Sequence, residues 1–128
     1  MSLLIREYVI DVLFFSVNLV QWRTFMIFIE TEIFTEDVNT LLSDDDYARF
    51  QRFLTLSPDC GDVIPGTGGL RKVRWMANGK GKRGGVRIIY YWRLRQDEIR
   101  LLLIYRKGLQ DDLSAQEKAL LRKLNEGW

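Results

Sequence analysis

Three strand-like runs in the second half of the chain constrain its fold most strongly. They span residues 70–76, 86–95 and 99–105. Residues 78–85 (NGKGKRGG) separate the first two runs and have the composition of a long hairpin loop, and residues 95–98 (RQDE) form a tighter turn. Short connections join antiparallel neighbours, so the pattern predicts a three-stranded antiparallel meander. Because its LLLI segment lacks alternation, the third run is predicted to be a central strand buried on both faces.

A further strand and a helix are predicted before the meander. Residues 27–34 (IFIETEIF) alternate apolar side chains with Glu30 and Glu32, as a half-buried strand does. Residues 43–46 (SDDD) predict a helix start, because serine caps a helix and acids in the first turn complement its dipole. Pro58 marks the end of this helix, and a short helix over residues 35–41 is more weakly indicated. The apolar side of the main helix would carry Tyr47, Phe50, Phe53 and Leu54.

A closing helix completes the predicted fold. Ser114 and Glu117 fit the S-x-x-E capping box at its start. Its inward stripe would consist of Leu120, Leu121 and Leu124. The predicted fold class is therefore α+β, with an antiparallel sheet of three to four strands, an N-terminal helix or helices and a C-terminal helix.

The first 25 residues differ from the rest of the chain. Their apolar run is shorter than the ~20 residues of a membrane-spanning helix, and it contains Arg6, Glu7 and Asp11. We consider two interpretations: an amphipathic helix laid on the body, or an upstream stretch added by the start-codon assignment. We favour the second, because a compact domain reads complete from Met26. The predicted organisation is an extension, 1–25, and one domain, 26–128.

The amino-acid composition excludes several catalytic mechanisms and kinds of site. The chain contains no histidine and a single cysteine, Cys60. A histidine base, an imidazole-dependent triad and a disulfide framework are therefore excluded. No cofactor and no metal ion is expected, since no cluster of carboxylates is evident to hold one. Any catalysis would depend on lysine, arginine, tyrosine and carboxylate groups.

Positive charge is concentrated in residues 66–107. This stretch holds twelve of the chain's 19 Lys and Arg residues and only two acids, Asp97 and Glu98, for a local charge of 12 − 2 = +10. Strand alternation predicts Lys72 and Arg74 on one face of the first run and Arg87 with Tyr91 on one face of the second. Such a basic face with interleaved aromatics is typical of nucleic-acid binding. The other candidate phosphate contacts are Arg71, Lys80, Lys82, Arg83 and Lys107.

The run GTGGLRKVRWMANGKGKRGGVRIIYYW, followed by IYRK and DLSAQEKALL, resembles the HigB branch of the RelE/ParE superfamily of bacterial toxins. The resemblance extends from about Met26 to the C-terminus. It implies a RelE-like fold and a cytoplasmic type II toxin that cuts messenger RNA on the ribosome. The implied partners are mRNA, the ribosome and a cognate HigA-like, helix-turn-helix, DNA-binding antitoxin. No membrane partner is implied.

The resemblance also implies roles for individual residues. Lys72 and Arg74 match the basic positions of the first meander strand, Arg87 the arginine that opens the second, and Lys107 the basic residue that closes the third. In the implied reaction the RNA's own 2′-hydroxyl attacks the adjacent phosphorus, and Arg74, Arg87 and Lys107 stabilise the negative charge. The base would be Lys72 or Lys82, made less basic by crowding among cations, with Tyr91 or Tyr105 as the alternative proton carrier. The RNA-binding positions are Arg71, Lys80 and Arg83.

Two other functions are compatible with the same residues. A ParE-like toxin would poison gyrase, and its basic strand residues would then be structural or DNA-facing. A non-catalytic nucleic-acid-binding domain would bind through the same cations without cutting RNA.

Overall fold

The computed structural model describes residues 4–15, 21–76, 85–108 and 112–127. In this part of the chain, six strands form one sheet in the order β1-β2-β6-β5-β4-β3. The strands are β1 (Leu4–Phe15), β2 (Gln21–Thr31), β3 (Asp62–Val63), β4 (Arg71–Met76), β5 (Gly85–Arg93) and β6 (Glu98–Arg106). The helices are α1 (Glu32–Leu41), α2 (Asp44–Leu56) and α3 (Ala115–Glu126), and a 3-10 turn covers Leu94–Gln96. The α+β class is confirmed.

The predicted meander is confirmed as β4, β5 and β6. Each strand begins and ends within two residues of the predicted bounds, and both neighbouring pairs are antiparallel. Strand β6 lies inside the sheet, as the LLLI run predicted. A register shift opposite Ile89 and Tyr90 places both Leu102 and Leu103 on the same side of the sheet, which accounts for the missing alternation.

The sheet is larger than the three to four strands predicted, and it is not wholly antiparallel. Strand β2 pairs in parallel with β6, with Ile27 beside Glu98 and Glu30 beside Leu101. The intervening helices and the meander make the crossover that parallel neighbours require. Parallel pairing depends on contacts between distant parts of the chain, so local patterns did not reveal it.

Residues 4–15 and 21–25 lie in strands, so the interpretation of this stretch as an amphipathic helix is wrong. Strand β1 pairs antiparallel with β2, from Arg6 beside Glu30 to Phe15 beside Gln21. Met26, the predicted domain start, lies inside β2 opposite Ile10, and it is buried, as is Val12. Aromatic and β-branched residues fill this hairpin, as is common in strands. The use of Met26 as a natural start stays a prediction.

The hydrophobic core has two layers, one on each face of the sheet. Helices α1 and α2 pack on one face, where the largest fully buried side chains include Phe28, Phe34, Phe50 and Tyr90. Helix α3 belongs to the other face, where Leu121 joins a smaller cluster with Leu70, Ile89 and Leu102. Burial on both faces explains why the central strands carry so many large apolar residues.

The helix starts agree largely with prediction. The Ser43 hydroxyl accepts from the Asp46 backbone N–H at 3.1 Å, and the Ser114–Glu117 capping box is formed. The strand predicted over residues 27–34 ends earlier, at Thr31, because the Thr31 hydroxyl caps α1 and accepts from the Phe34 N–H at 3.2 Å. Leu120 was predicted to face inward but is 67% exposed, and Phe53 is also exposed. Leu120 is on the outer side of α3, whereas the Phe53 ring still contacts Trp75 of β4, with the ring centres 5.5 Å apart.

Candidate nucleic-acid interface

Two predicted cations and one predicted tyrosine form a row across three strands. Arg74 on β4 lies opposite Arg87 on β5, and Arg87 lies opposite Tyr105 on β6. Directly opposed residues of antiparallel strands project from the same face. With strands about 4.8 Å apart, the row spans about 10 Å of the sheet. We call Arg74, Arg87 and Tyr105 the basic row.

Lys72 and Lys107 extend the basic row at two corners. Lys72 precedes Arg74 by two residues on β4, so it lies on the same face about 7 Å along the strand. Lys107 follows β6, and its backbone N–H donates to the Gly85 carbonyl oxygen at 3.1 Å. This bond holds Lys107 beside the start of β5. The strand register therefore places Lys72, Arg74 and Arg87 on one face of the sheet.

The basic row has little local charge compensation. Neither Arg74 nor Arg87 forms an ion pair with a carboxylate in the described parts of the chain, although the two lie directly opposite each other. Like charges at opposed positions destabilise a sheet. In addition, the Nη1 atom of Arg87 is buried without a hydrogen-bond partner in those same parts. An unsatisfied buried donor costs about 1–3 kcal/mol. An anion bound across the row would offset the repulsion between the two arginines.

Tyr91 is separated from the basic row. It lies four residues beyond Arg87 on β5, about 13 Å along the strand, and it is opposite Arg100. The Arg100 guanidinium lies 5.6 Å from the centre of the Tyr91 ring. Arg100 also donates to the Asn125 carbonyl and side-chain oxygens at 3.1 and 3.0 Å, which attaches α3 to the sheet. Tyr91 therefore belongs to the support of α3, and Tyr105 is the tyrosine beside the cations.

Arg71 stabilises a turn in this structure. Its Nη1 atom donates to the Asp59 and Gly61 carbonyl oxygens at 3.0 and 2.8 Å. The buried Tyr90 hydroxyl holds the same turn, since it donates to the Pro58 carbonyl at 2.7 Å and accepts from the Gly61 N–H at 2.9 Å. Burial raises the pKa of Tyr90. Burial also raises the pKa of the neighbouring Cys60 thiol.

Three predicted positions, Lys80, Lys82 and Arg83, lie outside the described residues. The ends of the segment that contains them are Met76 and Gly85, which are opposed at the end of the β4–β5 pair. This end of the pair is also where the basic row lies. Their assignments to RNA binding and to the base stay predictions.

Two carboxylates lie near Lys72 that the sequence patterns did not predict. The Lys72 Nζ atom is 3.5 Å from an Asp112 carboxylate oxygen, and Asp62 on β3 lies opposite Lys72 in the sheet. This ion pair contrasts with the crowding by cations that we expected around Lys72. Strand β3 has only two residues, so no periodic pattern signals it. Asp112 could be found only once the position of α3 was known.

Comparison with protein-family models finds no match for this chain. Within the described residues, no three His, Cys, Asp or Glu side chains are grouped as a metal site requires. No helix of residues 4–15, 21–76, 85–108 or 112–127 is long and apolar enough to cross a membrane.

Proposed function

We propose that this protein is the toxin of a bacterial type II toxin–antitoxin system and that it cuts messenger RNA on the ribosome. The observation that supports the proposal most directly is the basic row, with two arginines and a tyrosine opposed on one face of the sheet. The resemblance of residues 66–92 and 104–107 to the HigB branch supports the same interpretation. The cognate antitoxin and the cytoplasmic location belong to this proposal and have the same support.

The proposed reaction uses a nucleophile from the RNA itself. The 2′-hydroxyl loses its proton and its oxygen bonds to the adjacent phosphorus, while the bond from phosphorus to the 5′-oxygen of the next nucleotide breaks. The products are a 2′,3′-cyclic phosphate and a 5′-hydroxyl, and the 5′-oxygen takes up a proton. Negative charge grows on the phosphoryl oxygens in the transition state, where arginine forks bind well. We assign this stabilisation to Arg74 and Arg87, with Lys107 at the corner.

Tyr105 is the better candidate for proton transfer among the alternatives in the described chain. It belongs to the basic row, whereas Tyr91 contacts Arg100, the residue that bonds to α3, and Lys72 is paired with Asp112. Holding the 2′-oxygen and phosphorus in line on a ribosome can supply a large part of the rate, about 7–11 kcal/mol.

The test is to map mRNA cleavage after brief induction of the full-length protein. We expect translation-dependent cuts within codons for the natural sequence and a loss of at least about 100-fold for Arg87→Ala. The matched control is Arg52→Ala on α2, an exposed arginine on the other side of the sheet, which should leave cleavage unchanged. Circular dichroism of each purified variant checks that it is folded.

The other outcomes identify other functions. Growth arrest with intact messages would contradict the nuclease proposal and point to a target such as gyrase. RNA binding that Arg87→Ala weakens, without any cleavage by the natural sequence, would identify a non-catalytic binding domain.

A further inference from the structure

A cleft borders the basic row on the side of Lys72. It has a volume of about 250 Å³ and lies between β3, the turn that follows it and the start of α3. Its apolar lining comes from Val63, Ile64, Pro65 and Leu113, and its charged lining comes from Asp62, Lys72, Asp112 and Lys118. Apolar walls with a few convergent polar groups are the usual composition of a ligand site. The volume suits a group the size of one nucleobase.

The floor of the cleft is well ordered by local contacts. Ile64 and Leu113 are buried in the smaller core cluster. The Thr67 hydroxyl donates to the Ile64 carbonyl at 2.6 Å and accepts from the Leu70 N–H at 3.1 Å, which closes the turn from β3 to β4. The Ile64 N–H also donates to the Leu70 carbonyl at 2.8 Å. A flat ring can therefore rest on a preformed apolar surface.

The charge of the cleft differs from that of the basic row. Two lysines and two aspartates line it, so its formal charge is zero, whereas Arg74, Arg87 and Lys107 give the row and its other corner a formal charge of +3. A phosphate is therefore expected to bind to the row, and an uncharged group is expected to bind in the cleft. Because Lys72 and Arg74 are two residues apart on one strand face, both regions can bind neighbouring parts of one RNA strand.

The polar groups of the cleft select among the bases. Ionised aspartates only accept hydrogen bonds, and lysine only donates them. Asp112 and Lys72 are 3.5 Å apart, and Asp62 lies opposite Lys72. Guanine alone among the four RNA bases offers two adjacent N–H donors and a carbonyl oxygen on its Watson–Crick edge, the edge that single-strand readers commonly bind. Adenine lacks the carbonyl oxygen, cytosine offers only one donor group, and uracil offers one N–H.

We infer that this cleft binds an unpaired guanine next to the phosphate held by the basic row. The N2–H group donates to Asp112, the N1–H group donates to Asp62, and the O6 atom accepts from Lys72. Lys118 lies at the same cleft and closes its α3 side. The inference rests on the proposed function, because it supplies the base preference of the same RNA site.

Binding and cleavage test the inference separately. In the binding experiment, the full-length protein is titrated with a short single-stranded RNA that contains one guanine, and with the same RNA containing inosine, which lacks the N2 amino group. We expect the natural protein to bind the inosine RNA about tenfold more weakly. Asp112→Asn should remove most of that difference, and Asp45→Asn on α2 is the matched control that should retain it. Both aspartates are exposed, so neither substitution threatens the fold.

In the cleavage experiment, the cut sites of the natural protein should carry guanine at one fixed position beside the cut, and Asp112→Asn should weaken that preference. Equal binding of the two RNAs, or a difference that Asp112→Asn leaves intact, overturns the guanine assignment. Cleavage without guanine at a fixed position overturns the proposal that the cleft binds guanine, while the nuclease proposal stands. Guanine-dependent binding that Asp112→Asn abolishes, without cleavage of any message, supports the cleft and overturns the nuclease proposal.

Discussion

At the residue scale, Glu30 is a fully buried carboxylate with several hydrogen-bond donors. The Nε and Nη2 atoms of Arg6 donate to its two oxygens at 2.8 and 2.9 Å, and the Thr35 hydroxyl donates at 2.6 Å. The Tyr47 hydroxyl donates to the same group. These contacts join β1, β2, α1 and α2 at one point. A charge is tolerated in this position because it is paired and hydrogen-bonded.

We predict that Glu30→Gln lowers the free energy of unfolding by about 2–4 kcal/mol. The amide removes the charge that Arg6 compensates and weakens the bonds from Thr35 and Tyr47. Urea unfolding followed by circular dichroism measures the change. Glu36→Gln, an exposed position on α1, is the control and should stay within about 0.5 kcal/mol. Equal stability of the two variants would show that the buried contacts add nothing.

Tyr90 provides a second test at the residue scale. We predict that Tyr90→Phe lowers the free energy of unfolding at pH 7 by about 1–3 kcal/mol, because Gly61 N–H and the Pro58 carbonyl are left without their buried partner. Burial raises the pKa of Tyr90 in the folded protein. Above about pH 10 the unfolded chain therefore releases this proton while the folded protein retains it, and stability falls as pH rises.

Urea unfolding of both proteins between pH 7 and 11 checks this pH dependence. The natural sequence should lose stability relative to Tyr90→Phe only above about pH 10, with a slope of up to ~1.4 kcal/mol per pH unit. The advantage of the tyrosine should be fully present below that pH. A constant difference between the two proteins over the whole range would contradict the assignment.

At the scale of elements, the β1–β2 hairpin is part of the body. Strand β1 pairs with β2 over nearly its whole length, Val12 is buried, and Ile10 packs against the main core. The hairpin also brings Arg6 to Glu30. Removal of β1 would expose the edge of β2 and leave a buried carboxylate without its cation. Unpaired sheet edges of this kind favour aggregation.

We predict that a chain starting at Met26 is less stable than the full chain by at least about 3 kcal/mol, with a lower soluble yield. The reason is the smaller apolar burial together with the uncompensated charge of Glu30. Thermal and urea unfolding of the two chains measure the difference. In a second comparison both chains carry Glu30→Gln. The difference in unfolding free energy between them should then be smaller, because the buried charge is absent. Equal stability of the two unmodified chains would mean that β1 is an accessory strand.

At the scale of the whole molecule, charge is strongly divided. Residues 1–70 contain 11 acids and four cations, whereas residues 66–107 carry a charge of +10. The exposed acids of α1 and α2 are on one face of the sheet, and the basic row is on the other face. The net charge of +2 conceals this separation. A field of this shape attracts a polyanion to one side of the protein.

We predict that binding of single-stranded RNA weakens steeply with salt and that each basic-row arginine contributes to the slope. Removing one arginine–phosphate interaction should reduce the slope of log affinity against log salt by about 0.7. The slope is measured for Arg74→Gln and Arg87→Gln by fluorescence anisotropy of a labelled RNA at salt concentrations from about 50 to 300 mM. Arg52→Gln on α2 is the control and should keep the natural slope. Unchanged slopes in the row variants would exclude the row as the RNA-binding surface.

Much of the local structure followed from the sequence. The meander strands, the two capped helices and the burial of β6 were predictable, because alternation, glycine-rich turns and capping residues act over short distances. Strand periodicity placed Lys72 and Arg74 on one face of the first meander strand, whereas the register of β4 with β5 placed Arg87 on that same face. The concentration of positive charge in residues 66–107 is likewise a property of the sequence itself.

Only the tertiary structure decided the larger arrangement. The parallel pairing of β2 with β6, the inclusion of β1 and the burial of Glu30 depend on contacts between residues far apart in the chain. The choice of Tyr105 over Tyr91 and the approach of Asp112 to Lys72 depend on register and on the docking of α3. Periodicity fixes the face on which a side chain lies, whereas its neighbours on that face are fixed by packing between distant elements.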